Sequence, residues 1–300
     1  MRKKNHSKQK QTRLYVQQSV DLMNFLLQKM GGMSRTSVKS LLSHRQIQVN
    51  GRIETQYNYL LKEGDCVIIS TSVANTELVH PKLKVIFEDD DLLVVEKKTG
   101  ILTAPIKTDS RESTVLSVLK TYVRKSNPKN NVFVVHRLDR ETSGLLVFAK
   151  SRELQEFMRD NWTQIATERA YTALVEGVVD REKDTIVSWL TENTTTMRVY
   201  SSFTDNGGKK SITHYRKLKT SNEYSLIELR LETGRTNQIR VQMASVGYPV
   251  VGDRKYGLGV STIMNRLALH AHLLVFEHPV SHQKMTFKLP IPKEFMKVFR

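Results

Sequence analysis

Asp139 stands in the most chemically loaded stretch of the chain, Val134-Val135-His136-Arg137-Leu138-Asp139-Arg140-Glu141-Thr142-Ser143-Gly144-Leu145. An aspartate among arginines is ionised at neutral pH. That suits a nucleophile or an electrostatic anchor and does not suit a general acid. Arg137 and Arg140 are its nearest partners in sequence. Two further residues could join it. Tyr171, in Arg169-Ala170-Tyr171-Thr172-Ala173-Leu174, is either core packing with a satisfied hydroxyl or a platform for an unstacked base. Arg240, three residues after Asn237, lies beside an apolar helix face. An arginine there calls for an acidic partner or a phosphate, unless only its stem is buried.

The elements that must hold these groups follow from the patterning. Val132 to Val135 and Leu145 to Ala149 read as core strands on either side of the Asp139 knot. Ser151 is positioned to cap a helix with Leu154, Phe157, Met158, Trp162 and Ile165 on its apolar face. Glu168 to Gly177 reads as a strand carrying Tyr171. A strand from Leu226 to Leu231 ends at Thr233-Gly234, where Thr236 can cap a short helix burying Ile239, Met243 and Val246 before Gly247 stops it. Upstream, Val85 to Lys97 reads as two strands joined by Asp89-Asp90-Asp91, a solvated hairpin tip rather than a metal site, and Thr114 to Val123 as a helix. His270 and His272 share a strand face and are expected to be packed or hydrogen-bonded rather than metal ligands. Asp205 to Thr213 lacks the spacing of a phosphate loop. Val251-Gly252-Asp253-Arg254-Lys255-Tyr256-Gly257 is a loop of turn formers.

Residues 1–13 contain six Lys or Arg and no acid, and are expected to be a disordered basic tail, either solvated or touching RNA phosphates. Residues 14–72 form a compact module. Ser19 and Ser34 can cap two helices, Gln46 to Val49 alternates as a strand, and Asn50-Gly51 marks a tight turn. Arg35, Lys39 and Arg45 point outward from it. Residues 73–81 read as a linker and 82–300 as the main domain. The 47 Lys and Arg against 30 Asp and Glu leave a net charge of +17, which favours a polyanionic partner. No apolar run approaches the roughly 18–20 residues of a membrane span, so nucleic acid in the cytoplasm is preferred to a membrane surface. The one cysteine, Cys66, excludes an internal disulfide and a Cys-based zinc cluster, and reads as a small buried hydrophobe. With no uncovered apolar stripe, a monomer is expected.

Taken in order, His136 to Leu145, Tyr171 to Gly177, Thr233-Gly234-Arg235-Thr236-Asn237-Gln238-Ile239-Arg240 and Leu269-His270-Ala271-His272 resemble the RluA-like family of RNA pseudouridine synthases over residues 82–300. Ser34 to Leu42 with Ile47 to Gly51 resembles the small alpha-L RNA-binding domain of ribosomal and RNA-modifying proteins. The resemblance implies an α+β fold, a mixed and mostly antiparallel central sheet with flanking helices, and a small α/β RNA-binding domain before it. It implies isomerisation of uridine in RNA, with large-subunit ribosomal RNA as substrate and no cofactor or metal. Asp139 would be the catalytic aspartate, Tyr171 would stack on the uracil and serve in proton transfer, and Arg240 would pair with Asp139. Arg137 would hold the flipped nucleotide, with Arg235 and Asn237 as further RNA contacts and Arg35, Lys39 and Arg45 on the N-terminal module. The family commonly has histidine where this chain has Asn237, and often another at Gln242. These changes bear on RNA contacts and pH dependence more than on catalysis. Two other readings compete. One is an RNA-binding assembly factor that kept the fold without the chemistry. The other is a glycosidic hydrolase, which would need a second carboxylate that only Glu141 could supply nearby.

Overall fold

The computed structural model describes residues 11–31, 33–43, 46–70, 78–106, 112–258 and 263–299. The chain divides into two compact units, one of residues 1–78 with 120–131, the other of 79–119 with 132–300.

The first unit contains strands β1 (Gln11–Tyr15) and β2 (Val20–Asp21), helices α1 (Leu22–Lys29) and α2 (Arg35–Ser43), and strands β3 (Ile47–Val49), β4 (Arg52–Ile53), β5 (Leu60–Leu61) and β6 (Cys66–Ser70). Its core joins Leu22, Phe25 and Leu26 of α1 to Val38 and Leu42 of α2 and to Ile47 and Val67. Asp21, not Ser19, caps α1: its Oδ1 accepts the Asn24 N–H at 2.9 Å. The Ser34 hydroxyl accepts from Ser37 N at 3.1 Å, as expected of a cap. Asn50 and Gly51 both take positive φ and close the hairpin that pairs Val49 with Arg52. Residues 11–13, expected to belong to the tail, instead form β1, with Gln11 to Arg13 paired to Ser70 to Ile68 of β6; residues 1–10 lie outside the described residues. The alternation Arg13-Leu14-Tyr15 belongs to a strand that starts inside the stretch that charge alone assigns to the tail. Cys66 is only half buried. Arg45 and residues 73–77 of the expected linker lie outside the described residues.

The second unit is built on β7 (Leu83–Glu88), β8 (Leu92–Lys97), α3 (Val115–Arg124, within which the division between units falls), β9 (Phe133–Val134), β10 (Ser143–Ala149), α4 (Arg152–Asp160), α5 (Trp162–Ile165) and β11 (Glu168–Glu176). It continues through β12 (Lys183–Asn193), β13 (Arg198–Ser202), β14 (Lys209–Thr220), β15 (Tyr224–Leu231), α6 (Gln238–Ser245), β16 (Leu269–Glu277), β17 (Lys284–Lys288) and a 3-10 helix at Lys293–Phe299. The strands form one sheet in the order β13-β12-β14-β15-β11-β16-β10-β8-β7, with β17 added to β16 and β9 to β10. Every pairing is antiparallel except β10 with β16, so the sheet is mixed and mostly antiparallel. All seven residues of β10 are buried, as a central strand covered on both faces must be.

β10 and β16 stay paired for only two residues, Ser143 with His270 and Gly144 with Ala271. Beyond that point β16 pairs with β17 and β10 with β9. The Asp139 knot leads into this short parallel contact. Gly144 permits it: its φ is +128°, and a Cβ there would sit 2.3 Å from the Ala271 carbonyl oxygen. The register continues from Ala271 to Tyr171, next to a bulge between Ala170 and Tyr171.

The helix after Ser151 departs from expectation. Ser151 caps it, but the helix breaks at Asn161 into α4 and α5, and Phe157 is 50% exposed instead of inward. Asn161 takes the Phe157 carbonyl with both its backbone N–H and its side-chain amide, which ends the first segment.

Candidate active site

The knot carrying Asp139 is pinned by its backbone. The Leu138 N–H and carbonyl both bond the Thr103 hydroxyl, at 3.2 and 2.8 Å. The Arg140 carbonyl accepts from Gly100 N at 2.9 Å and from the Lys97 ammonium at 2.9 Å. Lys97 is fully buried and also donates to Ile101 O at 3.0 Å and Lys98 O at 3.2 Å. Burial pushes its ammonium down to about 7, against the opposing pull of Glu141 and Asp139. Arg140 turns away to pair with Glu112, its Nη2 2.9 Å from Oε2, so it is not the partner of Asp139 that its sequence position suggested. Arg137 is exposed.

Asp139 instead meets Arg240, Nη1 to Oδ2 at 3.2 Å. Arg240 projects from the first turn of α6, whose N-cap is Asn237 rather than Thr236. Asn237 adopts the left-handed conformation, φ 53°, which asparagine tolerates better than most residues, and its side chain makes no capping bond. Its amide is spent otherwise, accepting from Arg240 Nη1 at 3.0 Å and donating to the Tyr256 hydroxyl at 3.0 Å. The rest of the Arg240 guanidinium goes to Asp253, Nε to Oδ2 at 2.7 Å and Nη2 to Oδ1 at 2.8 Å. Asp253 is fully buried and also accepts backbone N–H groups of Lys255 and Tyr256. Burial opposes both charges, but the mutual hydrogen bonds and attraction outweigh it. The guanidinium is held above its usual value and the Asp253 carboxyl below the usual carboxylate range.

A cavity of about 290 Å³ opens over Asp139, lined also by Tyr171, Arg137, Arg235, Asn237, Arg240, His136 and Arg169. Five of the predicted residues therefore border one space with Asp139. Burial raises the Tyr171 phenol to about 12; Arg169 opposes the shift and the Asp139 charge adds to it. The phenol keeps its proton at neutral pH. His136 stacks on Trp162, ring centroids 4.8 Å apart, and its Nε2 accepts the Val147 N–H at 3.2 Å. Burial and then Arg169 push its imidazole down to about 3, so it is neutral. Arg169 donates to the Leu231 and Glu232 carbonyls at 3.2 and 2.6 Å, and its buried Nε has no partner among the described residues. Arg235 is exposed on the wall, while Arg35 and Lys39 are exposed on the first unit, Lys39 lying over the Tyr57 ring.

Gln242 is not at the cavity. It is fully buried, its Oε1 accepting from Thr213 at 2.6 Å and its amide donating to Ser188 at 2.9 Å and Ser211 O at 3.1 Å. Gln242 ties α6 to β12 and β14. His270 and His272 bond Ser143 and Thr172, at 2.8 and 3.0 Å. Asp89 does not sit free at a hairpin tip but closes its own turn and meets His278 at 3.1 Å.

The RNA pseudouridylate synthase family matches residues 91–245, just over half of the chain. The chain belongs to that family. Like other RNA pseudouridine synthases, it is an isomerase. An S4 domain matches residues 22–67. An uncharacterised RNA pseudouridine synthase of Bacillus subtilis, YhcT, is 34% identical over 89% of this chain and 88% of its own length. The ribosomal large subunit pseudouridine synthase D of Zymomonas mobilis is 32% identical, over 89% of each chain. Among solved structures, human RNA pseudouridylate synthase domain containing 4 superposes with a TM-score of 0.58 at 18% identity, covering 71% of this chain and 90% of that one. This last likeness speaks for the fold alone.

Proposed function

We propose that this pseudouridine synthase isomerises uridine in large-subunit ribosomal RNA, with Asp139 as the catalytic carboxylate. The observation that carries the reading is the Asp139–Arg240 pair on a cavity shared with Tyr171. The reaction breaks the N1–C1′ bond, forms C5–C1′, and exchanges the C5 hydrogen for one on N1. It is balanced without an oxidant or reductant, so no cofactor is needed. Asp139 attacks or stabilises the sugar or base as the bond breaks, and Arg240 holds it in place through their ion pair. Tyr171 retains the detached base by stacking and donates or relays a proton, since its raised phenol is not a ready base. The base reaches the cavity by leaving its stack, at a cost of a few kcal/mol that phosphate contacts offset. Arg137 and Arg235 hold the flipped nucleotide. Arg35, Lys39 and Arg45 of the S4 unit bind flanking phosphates. Relatives named for the ribosomal large subunit support that substrate, and the enzyme acts as a cytoplasmic monomer.

RNA transcribed with tritium at uridine C5 tests the chemistry. Wild-type protein should release tritium to water stoichiometrically with modified sites, and Asp139→Asn should release none. Equal release by both proteins would remove Asp139 from the mechanism. No release from any large-subunit transcript would favour the RNA-binding assembly factor.

A further inference from the structure

Arg240 borders a second depression, of about 620 Å³, which does not include Asp139 or Tyr171. Its walls carry Arg198, Arg254, Lys255 and Arg266, with Tyr200 and Glu141. Three cations crowd one ring here: Arg198, Arg240 and Lys255 lie 5.3, 5.2 and 5.5 Å from the centroid of Tyr256. The ring is fixed because its hydroxyl accepts from Val199 N and from the Asn237 amide, each at 3.0 Å. The nearest buried acid, Asp253, has both oxygens on Arg240. Arg266 is taken by Glu294. Arg198 and Arg254 have no carboxylate partner among the described residues. A positive cluster left unbalanced next to a carboxylate–guanidinium pair is a place for an external anion. Tyr200, 51% exposed, adds an aromatic face beside it, and a cationic groove with an aromatic platform is the arrangement that binds single-stranded nucleic acid.

We propose that this groove binds the RNA strand next to the target uridine, with Arg198, Arg254 and Lys255 on a phosphodiester and Tyr200 under the neighbouring base. The inference rests on the reading of RNA as substrate and adds a subsite to it. Arg240 belongs to the walls of both depressions, so a strand seated in the groove is held beside the cavity that receives the flipped base.

The test measures binding, so that it does not depend on turnover. Full-length Asp139→Asn protein is titrated with a stem-loop transcript of large-subunit RNA across a series of KCl concentrations, with and without Arg198→Gln and Arg254→Gln. Both residues are exposed, and matching thermal unfolding checks that the variant is folded. The double variant should bind about tenfold more weakly near 0.1 M salt, and its log K against log salt should be shallower by up to about 0.7, the share of one single-strand phosphate. A neutral methylphosphonate at the linkage beside the target should weaken the parent more than the double variant, which keeps only Lys255 on that linkage. An unchanged salt slope, or the same methylphosphonate penalty in both proteins, overturns the subsite. The reading of function fails separately: if protein with Asp139 intact makes no pseudouridine in this RNA while the slope still falls, the groove stands and the activity does not.

Discussion

Arg240 gives two of its donor nitrogens to Asp253 and shares a third between Asp139 and Asn237. Asp253 thus sets the angle at which the guanidinium meets the Asp139 carboxylate. Removing one partner of a buried pair strands the other charge, so Asp253→Asn should lower stability by about 3–5 kcal/mol in urea unfolding; a loss under about 1 kcal/mol would mean that the pair is not held in the folded protein. The buried histidines set a second expectation. His136 and His270 are pushed down to about 3 and about 4, chiefly by burial, while an unfolded histidine titrates near ~6.5. Between about pH 6.5 and 4 the unfolded chain therefore takes up protons that the folded chain refuses. Stability should fall with falling pH by roughly 1.4 kcal/mol per unit for each histidine, and His270→Gln should remove one such share. Stability that is flat across this window would contradict their burial. That Asp139, Tyr171 and Arg240 come together was legible because titratable groups stood in motifs among core strands. Asp253 was not: in sequence it is one more turn former, and only the fold brings it to Arg240.

At the scale of elements, the site depends on how closely β10 and β16 approach. Gly144→Ala places a Cβ against the Ala271 carbonyl at a φ of +128°, so it should destabilise the protein by at least about 2 kcal/mol and displace the Asp139 knot. A variant with wild-type unfolding and activity would show that the parallel pairing can relax at no cost. The strands were readable from apolar runs, whereas which strand lies beside which was not. No periodicity states that β16 pairs in parallel with β10 for two residues and then gives way to β17. Helix ends were the least legible feature. Asn161 breaks the expected long helix, and Asn237 opens α6 without a capping bond because its amide is drawn to Arg240 and Tyr256. In both places tertiary contacts overrode a local rule.

For the whole molecule, composition pointed to RNA before any motif did. Residues 1–72 hold 12 Lys and Arg against four acids, and Arg35 and Lys39 are exposed on the S4 unit. Replacing both with glutamine should leave the fold intact and make log K for RNA against log salt shallower by about 1.4–1.8. An unchanged slope would assign that face to solvent alone. The division of the chain was only partly readable, because residues 120–131 group with the first unit although they lie far along in sequence. The proposed function has Asp139 convert uridine to pseudouridine in large-subunit RNA. It is tested most directly by chemical mapping of pseudouridine in that RNA after incubation with the wild-type protein and with Asp139→Asn. One or a few discrete modified uridines are expected with wild type and none with the variant. Modification that persists in the variant, or that is absent with both, would contradict it.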